Sequence, residues 1–434
     1  MQLPASGKSA EQIADELKRA AAGDADWKRG KTWSLVYNAG DEVLEVSQRA
    51  YRQFFSANAL NPMAFPSLRR FETEVLEMAA SLLHGGVGSM TTGGSESILM
   101  ALKTARDWAR AHRSGADEVL LPASAHPAFD KAAHYLGLKA RHIPVGADFR
   151  VDLDRVEEAL SDKTALVVGS APSFPQGVVD DIPALARMAG ARGILCHVDA
   201  CVGGYFLPFL ERLGAPVPPW DFRVEGVTSI SADLHKYGYA ARGASTILYR
   251  DRELRKFQFH VQTSWPGGLY GSPTMTGSRA GGPIAAAWAV MSHLGADGYL
   301  RLTRSAMEAT AQLMRGIRDT GLRILGEPAM SVFAFAAPED DGDFDIYSLC
   351  DAMDAHGWKI DRQQLPPSAH LMVSPGHAPF VAPFLDELRE AVQSLRRGTL
   401  APSGSAAMYG ALAAMPDRGM VRDFVLQFMD SLDA

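Results

Sequence analysis

Cysteine is scarce in this chain. Cys196, Cys201 and Cys350 are the only three among 434 residues, too few for a disulfide framework, so a reducing, cytoplasmic setting is expected. Cys196 and Cys201 alone cannot complete a structural zinc site, and no metal is expected. No run of 18 apolar residues occurs, so no transmembrane helix is expected. The opening stretch MQLPASGKSAEQIADELKRA lacks the apolar core of a signal peptide and reads as a polar amphipathic helix. Its Gly7-Lys8-Ser9 is no phosphate-binding loop: the first glycine would fall on Gln2, and no buried strand precedes it. The formal charge of −7 comes without a dense Lys/Arg tract, which argues against nucleic acid or an anionic membrane as partner. Internal repeats and low-complexity tracts are missing too.

What is present is a globular composition, 47% hydrophobic and 21% charged, on a chain long enough for two domains. Short apolar runs at Val119–Leu121, Ala140–Pro144, Ala165–Gly169, Gly193–Val198, Gly226–Ile230 and Ala244–Tyr249 predict strands. Helix-period segments at Glu96–Ala111, Ala128–Leu136, Leu153–Leu160 and Ile182–Ala191 fall between several of them. This alternation predicts an α/β domain with a mostly parallel sheet and ligands at the strands' carboxyl ends. After Gly281-Gly282 helical stretches (Ile284–Leu294, then about Leu300–Thr320) lead into a smaller α+β pattern. It comprises Leu322–Leu325, Ser331–Ala336, a helix near Ile346–His356 and a strand at His370–Val373. The expected organisation is a helical arm over 1–56, a large cofactor-binding α/β domain over 57–298 and a small α+β domain over 299–434. The Gly/Pro-rich segment 264–283 is the longest irregular loop, a common place for function.

Four apolar runs lead to polar clusters that carry chemistry. In TTGGSESILMALKTARDWAR (91–110), two glycines precede a helix with Ser95 as its expected N-cap; the helix start suits an anion, although a plain capping turn looks the same. In GILCHVDACVGG (193–204), Asp199 ends a buried strand, where a carboxylate needs a cationic partner unless it only caps a turn. Cys201 reads as a small packing residue beside it, since nothing nearby lowers its pKa. In GVTSISADLHKYG (226–238), Lys236 stands at another strand end. His126, in PASAHPAFDKAA, follows a further strand and precedes a helix. A lysine for a Schiff base, an acid for a pyridine nitrogen, a ring to stack and a helix start for a phosphate together point to pyridoxal 5′-phosphate (PLP).

At these residues the chain resembles the sphingosine-1-phosphate lyase family of PLP enzymes, within the fold-type I, decarboxylase-like group. The likeness runs from about residue 33 to the C-terminus. It is carried by Gly93–Ala101, SAHPAFDKAAHYLG (124–137), APSFPQGVVDDI (171–182), HVDACVGG (197–204), FRVEGVTSISADLHKYGYA (222–240) and GSRAGG (277–282). FDIYSL (344–349), GWKIDRQQLPPSAH (357–370) and MYGALA (408–413) extend it. The resemblance implies Lys236 as the Schiff-base lysine, Asp199 as the ring-nitrogen partner and His126 as the stacking residue. Gly94, Ser95, Ser231 and His235 would surround the phosphate, with Cys201 among the cofactor's neighbours. The loop at Gly281 would come from a second subunit, so the implied assembly is a homodimer with shared sites. Tyr37 falls on the family's active-site tyrosine. The transmembrane segment of eukaryotic members has no counterpart, which implies a soluble, bacterial-type member.

Two positions depart from the family pattern. Asn61, in LNPMAFP, replaces a histidine, and Arg242 replaces a lysine six residues after Lys236. Both are associated with the substrate's phosphate end and with catalysis. Asparagine cannot relay a proton, whereas arginine binds a phosphate and suits a carboxylate equally. The implied reaction is cleavage of the Cα–Cβ bond of a phosphorylated sphingoid base, giving a long-chain aldehyde and phosphoethanolamine. Tyr37 or Lys236 would carry the proton, and the sequence does not choose between them. Decarboxylation of an amino acid by the same apparatus is the alternative; a non-catalytic PLP-binding scaffold is a third, which the presence of both Lys236 and Asp199 opposes. The lysine assignment is testable directly: the purified protein should show a visible absorption band that borohydride abolishes, leaving its label on Lys236. Label on another lysine would refute it.

Overall fold

The strand-and-helix alternation in the centre of the chain folds into one twisted sheet. The computed structural model describes residues 2–339, 344–398 and 405–431. Strands β1 (Val87–Thr91), β2 (Glu118–Pro122), β3 (Lys139–Ile143), β4 (Thr164–Ser170), β5 (Leu195–Asp199), β6 (Ser229–Ala232) and β7 (Ser245–Tyr249) lie in the order β1-β7-β6-β5-β4-β2-β3. β7 is antiparallel to both neighbours and every other pairing is parallel. Six strands therefore bring their carboxyl ends to one edge, where α/β sheets bind ligands.

Strands β4 to β7 are buried along their whole length. That is why β4 reads as a continuous apolar run, Ala165–Gly169, whereas the polar residues of β5 and β6 pair with one another inside the protein, as His197 does with Ser229 and Ser231. Strand β1 was not expected. VGSMT carries a glycine and a serine in its middle, a weak strand signal, and its pairing with β7 supplies what local propensity does not. Helices α1 (Ala10–Ala20) and α2 (Asp41–Gln53) precede α3 (Pro66–Leu82). Helices α4 (Gly94–His112), α5 (Ala128–Leu136), α6 (Leu153–Ala159), α7 (Ile182–Gly190) and α8 (Leu207–Arg212) connect the strands. Short α9 (Arg252–Lys256) follows β7, and strands β8 (His260–Gln262) and β9 (Tyr270–Ser272) pair as a hairpin inside the Gly/Pro-rich region.

The two expected helical stretches after Gly282 form one element, α10 (Gly281–Asp319), bent at Gly295 where φ is 53°. Beyond it, β10 (Arg323–Ile324), β11 (Val332–Ala336), β12 (Asp361–Gln364) and β13 (Pro367–Met372) make an antiparallel sheet in the order β10-β11-β13-β12. Strand β12 was missed because DRQQ has no apolar side chain. Helices α11 (Ile346–Ala355), α12 (Val381–Arg396), α13 (Ser405–Ala414) and α14 (Arg418–Ser431) complete the described residues. No helix among them is long and apolar enough to cross a membrane.

Helix α10 joins the two main cores. Ile284, Val290 and Leu302 pack in the core of the large sheet, whereas Leu313 and Ile317 pack in that of the small one. Trp33, from the segment before α2, is fully buried in the second core and stacks on His377 at 4.5 Å. Between the sheets, the turn after β4 presses Gly177 against β11. Its φ is +70° and a Cβ there would run into the Val332 carbonyl, while its own carbonyl accepts from Ala329 N–H at 2.8 Å. Gly177→Ala should therefore lower stability by at least ~2 kcal/mol, read as a depressed unfolding temperature.

Candidate active site

The common carboxyl edge of the main sheet opens into a cavity of about 600 Å³. Strands β1, β2, β4, β5 and β6 contribute to it through residues at or just past their ends. Past β1, Gly93 caps α4 and Gly94 begins it. Ser95 thus lies in the first turn and not at the N-cap, a correction that follows from the pair of glycines turning one residue earlier. Gly94 and Ser95, whose N–H groups have no intrahelical acceptors, line the cavity at the positive end of a 19-residue helix. Glu96 closes this turn: its Oε2 accepts from Thr92 N–H and O–H, both at 2.7 Å, and its Oε1 from Met275 N–H at 2.9 Å.

Past β2, His126 lines the cavity with its Nδ1 accepting from Ala128 N–H at 3.1 Å. Burial pushes its pKa down, so the ring is neutral and presents a flat face. Past β5, Asp199 Oδ1 accepts from Cys201 N–H at 3.0 Å and from Ser231 O–H at 3.2 Å. No donor among the described residues reaches its Oδ2. Behind it, His197 is fully buried with Nδ1 2.8 Å from Ser229 Oγ and Nε2 3.2 Å from Ser231 Oγ. Burial drives His197 down to about 4, so it acts as a neutral strut. The Cys201 thiol, raised by burial, is no nucleophile and packs on Ser231 at 3.3 Å.

Past β6 the chain turns back into antiparallel β7, and this connection carries the cations. Lys236 Nζ is 3.0 Å from Asp233 Oδ2, and His235 Nε2 is 3.6 Å from the same oxygen. Burial pulls the lysine pKa down, but the Asp233 carboxylate outweighs it and the net shift is upward. His235 is driven down to about 4 by burial. Tyr237 anchors the segment by donating to the Val373 carbonyl at 3.1 Å, and Tyr299 of α10 donates to that of Gly238 at 2.9 Å. From outside the sheet, Tyr37 packs edge-on against Tyr237 at 4.9 Å and donates to Met372 Sδ at 3.2 Å. Burial raises its pKa to about 12, so it is a neutral phenol. Arg242 sits over the Tyr37 ring at 5.5 Å and has no acidic partner among the described residues.

Nine expected site residues thus share one cavity: Lys236, Asp199, His126, Tyr37, Gly94, Ser95, His235, Cys201 and Arg242. Ser231 lies beneath it as a support. Asn61 and Gly281 are not brought into it by their own chain. The Asn61 side chain accepts from Met63 and Ala64 N–H, at 3.0 and 3.3 Å, and Gly281 packs against Ala57 and Leu68 at the start of α10. Asp233, Glu96, His197, Asp361 and Met372 were not expected at the site.

Comparison with known proteins agrees with this geometry. The model of the pyridoxal-dependent decarboxylase conserved domain matches residues 65–337. The chain is 42% identical to the sphingosine-1-phosphate lyase of Oryza sativa subsp. japonica, over 99% of this chain and 81% of that one. It superposes on the structure of the Burkholderia pseudomallei K96243 sphingosine-1-phosphate lyase with a TM-score of 0.91 and 35% identity, covering 100% of this chain and 97% of that chain. The chain belongs to the sphingosine-1-phosphate lyase family. A Lactobacillus brevis glutamate decarboxylase, 20% identical with a TM-score of 0.79 over 93% of this chain and 97% of that one, shares the fold.

Membership in the sphingosine-1-phosphate lyase family calls for pyridoxal 5′-phosphate, and the residues present fit it. A lysine faces the cavity with one fifth of its side chain exposed, Asp199 keeps one oxygen unengaged, His126 offers a ring, and α4 offers its N-terminus. In this family setting the support beneath Asp199 has a measurable role. Ser231→Ala should cut turnover roughly tenfold, the loss of about one hydrogen bond to a charged group, and should also lower the unfolding temperature, because it leaves the buried His197 Nε2 without that partner. Wild-type turnover would show that the strut is idle.

Proposed function

We propose that this chain is a PLP-dependent carbon–carbon lyase acting on a phosphorylated 2-amino-3-hydroxy substrate of the sphingoid-base kind, releasing a fatty aldehyde and phosphoethanolamine. One observation carries the reading: Lys236, Asp199 and His126 converge on a cavity that also holds Arg242, a cation with no acidic partner among the described residues. When bound, pyridoxal phosphate supplies an aldehyde that takes up an amine and a protonated ring that draws off the electrons of the broken bond. Lys236 would be the amine that holds it. Asp199, fixed by Ser231 and Cys201, would keep the ring nitrogen protonated with its second oxygen. His126 would cover the ring face, and Gly94, Ser95 and His235 would receive the phosphate at the start of α4.

Arg242 binds the substrate's own phosphate, as a planar cation beside the entrance. Tyr37, a neutral phenol with a pKa near 12, serves as a proton donor rather than a base. Proton abstraction from the hydroxyl then falls to Lys236 in its free-amine form, or to another acceptor at the cavity wall. Asn61 and Gly281 lie outside their own chain's cavity, which supports a homodimer in which each copy completes the other's site. Exposed Leu60 and Met63 beside Asn61, and Trp265 and Leu269 on the loop before Gly281, are apolar surface for such a contact. The three buried free cysteines fit a reducing cytoplasm.

A product assay tests the reaction. Phosphorylated 2-amino-3-hydroxy compounds should release aldehyde without CO₂, and Arg242→Ala should raise KM at least ~tenfold, the worth of a charge-assisted pair. CO₂ from a plain amino acid, with no aldehyde from any member of the panel, would assign the decarboxylase reaction instead. Asp199→Ala should keep bound cofactor yet lose nearly all turnover.

A further inference from the structure

The group nearest the Lys236 ammonium is an acid that the proposed reaction leaves unused. Asp233 is 2% exposed, and its Oδ2 contacts both Lys236 Nζ and His235 Nε2, at 3.0 and 3.6 Å. The same oxygen lies against the start of α4, where a Cβ built on Gly94 would approach it to 2.8 Å. A carboxylate beside the expected phosphate site is unfavourable for an incoming anion. It is tolerated at this depth only because the lysine neutralises it. His235, held neutral by burial, cannot take over that role without gaining a proton.

We propose that Asp233 is a positioning residue that holds Lys236 as an ammonium in the cofactor-free chain, so that breaking this ion pair gates the capture of a carbonyl cofactor. The inference rests on Lys236 being the cofactor lysine. The other titratable groups facing Lys236 are Tyr37, Cys201, Asp199, His126 and His235. Tyr37 and Cys201 are neutral at pH 7, because burial raises both. The histidines are neutral because burial lowers both. Asp199 pulls in the same direction but more weakly and without an ion-pair contact to Nζ, so Asp233, at 3.0 Å, is the adjacent charge that chiefly holds the proton on the lysine. An amine adds to an aldehyde only after losing that proton: nitrogen bonds the carbonyl carbon, the carbonyl oxygen leaves as water, and the proton goes to solvent. A pKa held above the ordinary lysine value thus makes capture slow near neutrality and faster as pH rises.

Reductive methylation of the cofactor-free protein isolates this effect. Formaldehyde is small and uncharged, so phosphate repulsion does not enter; cyanoborohydride supplies the hydride, and mass spectrometry resolves each lysine. In brief pulses from about pH 7 to about pH 11, the lysine of an added unstructured peptide should level off near the usual lysine range. Lys236 should still be rising at the upper end. Asp233→Asn should move the Lys236 profile acidwards by at least one unit, raising its rate at neutral pH at least ~tenfold, whereas Asp233→Glu should stay close to wild type. Coincident Lys236 profiles in wild type and Asp233→Asn overturn the proposal. If Asp233→Asn does not fold, the wild-type profile decides, and Lys236 levelling off with the peptide lysine overturns it. Wild type that gives no visible band with pyridoxal phosphate would sink the cofactor reading while leaving this measurement intact.

Discussion

A lysine ammonium set four-fifths inside a protein has to be compensated, and the site is arranged around that requirement. Lys236 cannot sit alone at the edge of a sheet whose central strands are wholly buried. Its compensation is Asp233, three residues earlier on the same connection. Asp233 in turn needs space that a side chain at 94 would occupy, so the glycine that opens α4 and the acid that holds the lysine require each other. The anion site and the cationic site are thereby locked at a fixed separation before any ligand arrives, which is what preorganisation means in structural terms.

The direction of the strands explains why these groups meet at all. Because β7 alone runs against the others, the residues after β1, β2, β4, β5 and β6 all emerge on one side. The β6–β7 connection reverses direction over residues 233–244, and the lysine lies within it. That bend is held from three directions: Tyr237 to the small sheet, Tyr299 from α10, and the His235 amide to the Ala244 carbonyl at 3.0 Å. The small sheet is therefore part of the site's frame as well as a neighbour, and it lends Met372 and Asp361 to the cavity wall.

Much of this was legible in the sequence, for a physical reason. Asp199, Lys236 and His126 stand where buried apolar strands end, and a period of contiguous apolar residues is the strongest local signal a sheet emits. Asp233 stood in plain sight beside the lysine but could not be assigned, because the direction of its side chain is set by α4 packing against the strand. Glu96 looked like an ordinary first-turn acid, and only the fold shows that it ties the Gly/Pro-rich loop to the helix start. Met372 and Asp361 carry no local signal, since they reach the cavity from a strand pair more than a hundred residues downstream of the lysine. Sequence motifs report elements; contacts between distant elements are set by packing.

The same separation locates the source of substrate choice. The residues that fit the cofactor come from the main sheet and its connections, and they are rigid because the sheet is buried. Arg242 instead lies at the exposed end of the lysine connection, resting on the Tyr37 ring from the N-terminal segment. Tyr37 itself is positioned by Met372 and Tyr237. If Arg242 grips the substrate's anion as proposed, changes at 242 or in the N-terminal segment would alter which anion is held without disturbing Lys236 or Asp199. The residues that fit the cofactor owe their place to strand order, and under the proposed function the substrate's place would depend on one arginine and the aromatic ring beneath it.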